Sequence, residues 1–245
     1  MTRPVVRRWE YDRLAFNLQA GNDSDDVERN LRALIAAAAA ILGHHPHIIV
    51  LSEARPYAGL IARVARDLGY ERFQARPRQL SARQRRRKVQ EEDANLATLV
   101  RLDVGTVTAR RWRMRRTWRG PINGWPHLPR LYWQIVLAIP GAGVWRDAAM
   151  HAPTPKPVGN ARAVNESISK LGRYLRAGKA TPSVAGGDLN AGAAELRERL
   201  PDLRVVAGHG ADNVVTNQLV ESEVHVLGKY GSNHHAVLTR HRRTD

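Results

Sequence analysis

The sequence predicts an α/β layered sandwich, with two covered sheets and helices outside them. Three observations carry this. Apolar runs of strand length alternate with helical periods, the run HIIVLS is apolar without alternation, and neither a linker nor an internal repeat divides the 245 residues. We therefore read residues 1–245 as one domain, since single α/β domains run to about 250 residues.

Arg13–Gln19 (RLAFNLQ) reads as the first strand. Asp23, Ser24 or Asp25 then offers a helix N-cap, and the helix continues through the alanine run to a stop at Gly43. His47–Ser52 is the covered strand, and Tyr57–Leu68 has the apolar spacing of a second helix. Arg76–Asp93 is polar, basic and aperiodic, so it reads as a loop. Ala94–Arg101 and Val104–Arg110 read as two strands joined by a turn at Leu102-Asp103.

Arg111–Pro129 is rich in Gly and Pro and reads as irregular. Leu131–Ile139 and Val144–Met150 form a hairpin around Pro140-Gly141-Ala142-Gly143. His151–Gly159 is a Pro-rich loop, and Asn160–Gly178 is a helix with Ile168, Leu171 and Leu175 on one face. Ser183–Gly186 is a short strand. A helix follows near Ala193–Arg199, then strands near Arg204–Val206, Asn213–Thr216, Val224–Leu227 and Ala236–Thr239.

The chain has no cysteine, which excludes disulfides, thiol nucleophiles, iron–sulfur clusters and thiolate zinc sites. It carries 39 Lys+Arg against 23 Asp+Glu, a net charge of +16. Only five of the basic residues are lysine: Lys88, Lys156, Lys170, Lys179 and Lys229. The preference for Arg is what GC-rich coding DNA produces, but it does not account for the excess of positive charge. That excess points to a polyanionic partner. The longest apolar run, Ala33 to Leu42, is about half the ~20 residues of a membrane span. No signal core follows the first ten residues, so the reading is a cytoplasmic chain without a membrane span.

Polar residues gather at the ends of the expected strands. Asn17 ends the first, Glu53 follows HIIVLS, and His151 follows WRDAAM. Asp188 and Asn190 follow SVAGG, Asp212 precedes NVVT, and Asn233 and His234 precede AVLTR. Strand ends of a covered sheet converge on one rim, where α/β proteins place their sites. Any one of these residues alone reads as a cap or a surface charge. Together they supply carboxylates for a hard cation, amides for phosphate oxygens and imidazoles for proton transfer, the inventory of metal-assisted phosphate-ester hydrolysis.

In order along the chain, FNLQ, IIVLSE, a central His after a strand, GGDLN and SNHHAV resemble the endonuclease/exonuclease/phosphatase superfamily, the DNase I-like fold. The resemblance runs from Leu14 to Leu238, with GGDLN its most specific motif. It implies a four-layered α/β/β/α sandwich with one active site at the edge of the two central sheets. It further implies Glu53 as the main Mg²⁺ ligand and Asn17 in the metal shell or on the phosphate, with Gln19 where some members carry Asp. His151 contacts or protonates the phosphate. Asp188 orients the attacking water, Asn190 holds the phosphate, and Asp212 orients the terminal His234. The last motif departs from the family's Ser-Asp-His: here it is Ser232-Asn233-His234. Asn233 keeps an oxygen for a cation but loses the charge.

Two basic segments complement this set. Arg83–Lys88 lies in the polar loop. Arg110–Arg119 (RRWRMRRTWR) interleaves arginines with Trp112 and Trp118; Arg113, Arg115 and Arg116 are expected to neutralise phosphates while the tryptophans stack on bases. Its other reading is a strand with Trp on one face and Arg on the other. His44-His45-Pro46-His47 is discounted as a metal cluster because it sits at a turn without a nearby carboxylate pattern. His235 is discounted as facing away from the site, and Glu91, Glu92 and Asp93 as a solvated loop.

The resulting expectation is a Mg²⁺-dependent phosphodiesterase on nucleic acid, DNA first, with Mn²⁺ as the alternative cation and no obligate protein partner. The rivals are a phosphatase or phosphodiesterase of phospholipid or inositol phosphates, and a non-catalytic nucleic-acid-binding relative.

Overall fold

The computed structural model describes residues 8–19, 22–75, 81–86, 95–113, 118–119, 124–127, 130–156 and 160–244. Two six-stranded sheets face one another. The first comprises β1 (Tyr11–Asn17), β2 (Ile48–Ser52), β3 (Tyr70–Gln74), β4 (Leu96–Arg101), β13 (Val220–Val226) and β14 (Val237–Arg243), in the order β13-β14-β1-β2-β4-β3. The second comprises β5 (Gly105–Arg113), β8 (Leu131–Ile139), β9 (Gly143–Ala149), β10 (Ser183–Asp188), β11 (Arg204–His209) and β12 (Asp212–Thr216), in the order β11-β12-β10-β9-β8-β5. A two-stranded piece joins β6 (Trp118–Arg119) to β7 (Pro126–His127).

Each sheet is antiparallel except for one central parallel pair, β1–β2 and β9–β10. A parallel pair needs a crossover. Helix α1 (Ser24–Leu42) supplies the first and α4 (Ala161–Ala177) the second. The two sheets are thus built alike around β-α-β units, although the sequence shows no repeat.

The N-cap of α1 is Asp23, whose carboxylate accepts from the Asp25 and Asp26 amides, and Gly43 ends the helix at φ +80°. The apolar stripe of α1 and that of α2 (Ala58–Asp67) pack on Leu14, Phe16, Ile49 and Leu51, covering the outer face of the first sheet. Helices α4 and α5 (Ala193–Arg199) cover Tyr132, Ala148, Ala185 and Val215 of the second. Between the sheets lie Tyr11, Ile48, Val100, Ile135, Leu137, Trp145, Val184 and Val214. The order of layers is helix, sheet, sheet, helix. Every residue of β1, β2 and β10 is buried, which is why their sequences lack the polar alternation of half-exposed strands.

Four expectations need correction. The strands on either side of Leu102-Asp103 belong to different sheets: both edges of β4 are taken, by β2 and β3, so β5 crosses to pair with β8. Strand β3 was not expected; its half-exposed sequence YERFQ gives no clear alternation. Strand β5 runs on to Arg113, and β6 and β7 lie within the stretch expected to be irregular. The polar loop contains a short helix, α3 (Ala82–Arg86). The β8–β9 hairpin is as expected, with Gly141 and Gly143 at φ +77° and +75°. Among the described residues no helix is long and apolar enough to cross a membrane.

Candidate active site

The C-terminal ends of both parallel pairs open on the same rim, and this brings the strand-end residues together. Asn17 is the last residue of β1 and fully buried. Its Nδ2 donates to Glu53 Oε1 at 3.2 Å and to Asp188 Oδ2 at 3.1 Å, so one amide ties the ends of both sheets. Asp188 ends β10. The antiparallel register sets it directly opposite Asp212, the first residue of β12. His151 Nε2 lies 3.4 Å from Asp188 Oδ2. His234 Nδ1 lies 2.6 Å from Asp212 Oδ2, and the His234 amide donates to Ser232 Oγ at 3.0 Å. Asn190 Nδ2 donates to the Ala152 carbonyl at 2.7 Å, and its own amide donates to Asp188 Oδ1 at 3.2 Å.

Backbone strain gathers here as well. Among the described residues the non-glycines with positive φ are Gln19 (+56°), Glu53 (+55°), Asn190 (+48°) and Tyr230 (+46°). The first three lie within two residues of a strand end at the rim, and Tyr230 enters the loop carrying Ser232-Asn233-His234. Such conformations cost on the order of 1–3 kcal/mol each and cluster at functional sites.

Electrostatically, the two aspartates are unlike. Burial alone raises the Asp188 carboxyl, but the hydrogen bond and charge of His151, with the charges of His234 and Arg130, outweigh it and hold the group below its usual range. Burial pushes Asp212 up, the His234 hydrogen bond opposes this, and the charge of Asp188 adds to it. His234 is raised, first by its hydrogen bond to Asp212. The imidazolium is therefore favoured, and with Nδ1 committed to Asp212 the second ring proton is on Nε2.

One oxygen or nitrogen from each of Asp188, Asp212 and His234 lies within 4.8 Å of the others, a group able to hold a metal ion. Glu53, the ligand implied by the resemblance, adjoins this group through Asn17. Asn233 is exposed and meets the rim through its backbone, whose amide donates to Gln19 Oε1 at 2.7 Å.

Sequence reasoning overlooked Arg130. It is buried against the rim, with Nη1 2.7 Å from the Ala152 carbonyl, and its charge acts on Asp188. A lone Arg before a strand gives no signal. At the histidine turn a carboxylate is present after all, Asp12 Oδ2 lying 3.0 Å from His47 Nδ1 and 3.4 Å from His44 Nε2, although among the described residues these three are not a group able to hold a metal ion. Asp12 lies in β1, 35 residues before His47, which hid it. His235 turns to the Leu227 carbonyl and lies against His209, ring centroids 4.2 Å apart and tilted by 39°. Trp112 lies on β5 and is 45% exposed. Arg115 and Arg116, the side chains of Arg113 and Trp118, and Glu91, Glu92 and Asp93 lie outside the described residues.

No family model matches the chain, and no curated protein matches it. Solved structures do. An endonuclease/exonuclease/phosphatase from Beutenbergia cavernae shares 15% identity at TM-score 0.64, over 96% of this chain and 72% of that one. TDP2 of Caenorhabditis elegans shares 13% at 0.65, over 99% and 77%. A mannosyl-6-phosphatase of Bacteroides thetaiotaomicron shares 13% at 0.61, over 94% and 99%. The fold is thus the four-layered, DNase I-like sandwich of the endonuclease/exonuclease/phosphatase superfamily, as the motifs implied.

Proposed function

We propose that the protein is a metal-dependent phosphodiesterase acting on nucleic acid, with DNA as the first substrate to test. The observation that carries the reading is the joining of Glu53, Asp188 and His151 through Asn17 and Asp188, beside the Asp212–His234 pair, at one rim. The donor set fits a hard cation: it is rich in oxygen, two of its carboxylates face one another across β10–β12, and it has no thiolate. Glu53, Asn17 and Asn233 would hold Mg²⁺ or Mn²⁺, leaving Asp188, Asp212 and His234 for proton handling beside them. The cation, when bound, neutralises charge developing on the phosphate oxygens.

The chain's own groups do the rest. Asp188, held ionised, accepts a hydrogen bond from water and aims its lone pair at phosphorus. His234, protonated and oriented by Asp212, donates from Nε2 to a phosphate oxygen or to the departing one. His151, with Nε2 3.4 Å from Asp188 Oδ2, stabilises its charge. Asn190, fixed by Ala152, positions its amide toward the phosphate.

The +16 charge favours a polymer over a small phosphate ester. The mannosyl-6-phosphatase likeness favours a second reading, a phosphomonoesterase using the same groups. Incubating the protein with supercoiled plasmid, linear duplex, single strand, RNA and a sugar phosphate, with Mg²⁺ or with EDTA, separates these. Cleavage of polymer only with Mg²⁺ supports the reading; release of phosphate from the sugar ester alone overturns it.

A further inference from the structure

A broad groove lies away from the rim. It has a volume of about 1040 Å³ and runs between α4 and the outer face of β5–β8, with none of the strand-end residues lining it. The registers explain its make-up. Trp112 pairs with Tyr132 and Arg110 with Gln134 across β5–β8, while Val136 pairs with Arg146 across β8–β9. Opposed residues share a face, and so do alternate residues of one strand. Arg110, Trp112, Tyr132 and Arg146 therefore all lie on the α4 side. From α4 come Arg162, Lys170 and Arg173.

The charge of the groove is one-sided. Its single lining carboxylate, Glu166, is met by Lys170 at 3.2 Å. Among the described residues the other ion pair of α4 takes Arg176 to Asp202. Arg162 and Arg173 are exposed and among the described residues pair with no carboxylate. Arg146 lies 4.4 Å over the Tyr174 ring, which holds its guanidinium in the groove without cancelling its charge. A second hollow of about 480 Å³ shares Arg146 and Ala177 and adds Lys179, so the basic track continues past the end of α4.

The groove begins beside the rim. Tyr132 is two residues from Arg130, whose guanidinium is bonded to the Ala152 carbonyl that also holds Asn190. Arg162 to Arg173 rises roughly 16 Å at about 1.5 Å per residue, a length that meets several phosphates. The edge of the track carries an exposed indole, Trp112. Cations in a line with an open aromatic face are the pattern that takes single-stranded nucleic acid.

We propose that the groove between α4 and the β5–β8 face binds single-stranded polynucleotide leaving the catalytic rim, with Arg146, Arg162 and Arg173 on phosphates and Trp112 under a base. This rests on the nucleic-acid reading of the site and goes beyond it by giving the polymer a path and a strandedness.

The test uses the whole chain and two variants, Arg162→Gln/Arg173→Gln and Trp112→Ala, all changed at exposed positions outside the rim. Binding of a labelled single-stranded oligodeoxynucleotide of about 20 residues is followed by anisotropy in EDTA over a salt series. Hydrolysis of bis(p-nitrophenyl) phosphate with Mg²⁺ is measured alongside. The double variant is expected to bind about tenfold more weakly and to lower the log K against log salt slope by about 0.7 for each lost phosphate contact. Trp112→Ala is expected to weaken binding about tenfold while keeping the slope. Hydrolysis of the small diester should be unchanged in the double variant. Unchanged affinity and slope in folded variants overturn the groove. Equal weakening for an acidic peptide competitor in place of the oligonucleotide overturns its nucleic-acid character. If the native chain binds the oligonucleotide through the groove yet cleaves no polynucleotide, the groove stands and the catalytic reading falls.

Discussion

Arg13 Nε lies 3.0 Å from Asp147 Oδ2, and both side chains are fully buried between the two sheets. The pair joins β1 to β9, the first strand of each parallel pair. Tyr11 donates to the same carboxylate oxygen at 2.7 Å, and Arg13 Nη2 donates to the Gly186 carbonyl at 2.7 Å, two residues before Asp188. Burial pushes Asp147 up, opposed by the charge of Arg13 and the Tyr11 hydrogen bond. The rim depends on the relative placement of the sheets, and this network is a polar tie between them beside the Asn17–Asp188 bond. Asp147→Ala leaves the guanidinium buried without its partner and should lower stability by about 3–5 kcal/mol. Denaturant unfolding measures it; a loss below about 1 kcal/mol would mean that water or relaxation replaces the carboxylate.

Next to this network His241 is fully buried, with its ring 5.5 Å from that of Tyr11. Its Nδ1 lies 2.7 Å from Ser222 Oγ and its Nε2 2.8 Å from Thr239 Oγ1. Burial, aided by the charge of Arg13, lowers its pKa from 6.5 to about 3. The unfolded chain then takes up a proton below pH 6.5 that the folded chain refuses until about pH 3. Its stabilising effect is therefore complete above pH 6.5 and is lost as pH falls, at up to about 1.4 kcal/mol per pH unit. His241→Phe should flatten the stability–pH slope by that amount over pH 6 to 4, roughly the window between the two values. Parallel slopes for the two proteins would show that the ring titrates normally.

Gly187 stands at φ +134°, and a Cβ there would lie 2.2 Å from the Met150 carbonyl oxygen. The backbones of β9 and β10 can approach this closely only without a side chain. Since His151 follows Met150 and Asp188 follows Gly187, the approach sets the distance between those two groups. Gly187→Ala should cost about 1–3 kcal/mol in backbone strain and more in the clash, and should reduce turnover by displacing Asp188. Thermal unfolding and hydrolysis of a small diester check both effects; full turnover with a normal Tm excludes the close packing.

Much of this was legible in the sequence because fully buried strands cannot hide: HIIVLS and SVAGG have to be covered, and the polar residues beside them then have few places to go. The convergence of Asn17, Glu53, Asp188 and His234 follows from strand ends meeting at one rim. The pairing of β5 with β8 was not legible, since a turn at Leu102-Asp103 reads alike whether the chain returns to its own sheet or crosses to the other. Arg13 and Asp147 were silent for a related reason: a charge inside a strand reads as an outward face until its partner, 134 residues away, is known. The groove along α4 was half legible. The Trp and Arg of β5 were visible, but the placement of Arg110 and Trp112 on one face depends on strand phase.

Glu53 distinguishes two ways of holding a cation at the rim. Glu53→Gln keeps the size of the side chain and its contact with Asn17 while removing the charge. If Glu53 is the principal ligand, Mg²⁺-dependent hydrolysis should fall by at least about 100-fold, and the Mg²⁺ needed for half-maximal rate should rise, because a neutral amide is a weaker donor to a hard cation. Near-normal turnover at low Mg²⁺ would instead assign the cation to Asp188, Asp212 and His234, the donor group within 4.8 Å.

Asn233 tests the departure from the Ser-Asp-His motif that the resemblance implies. Its backbone amide is anchored to Gln19 Oε1 at 2.7 Å, which holds the loop against the end of β1, and the residue itself is exposed. Asn233→Asp therefore introduces a carboxylate without burying a new charge, next to His234 in sequence. If its side chain reaches the cation, Coulomb attraction should lower the Mg²⁺ concentration for half-maximal activity. The maximal rate responds to two opposed effects: the added charge repels the substrate phosphate, and it raises further the His234 imidazole that Asp212 already raises. Mg²⁺ titrations of the native chain, Glu53→Gln and Asn233→Asp separate these. A requirement lowered by Asn233→Asp and raised by Glu53→Gln places both residues on the cation. A requirement moved only by Glu53→Gln leaves Asn233 as the residue that fixes the loop through Gln19, with no part in holding the metal.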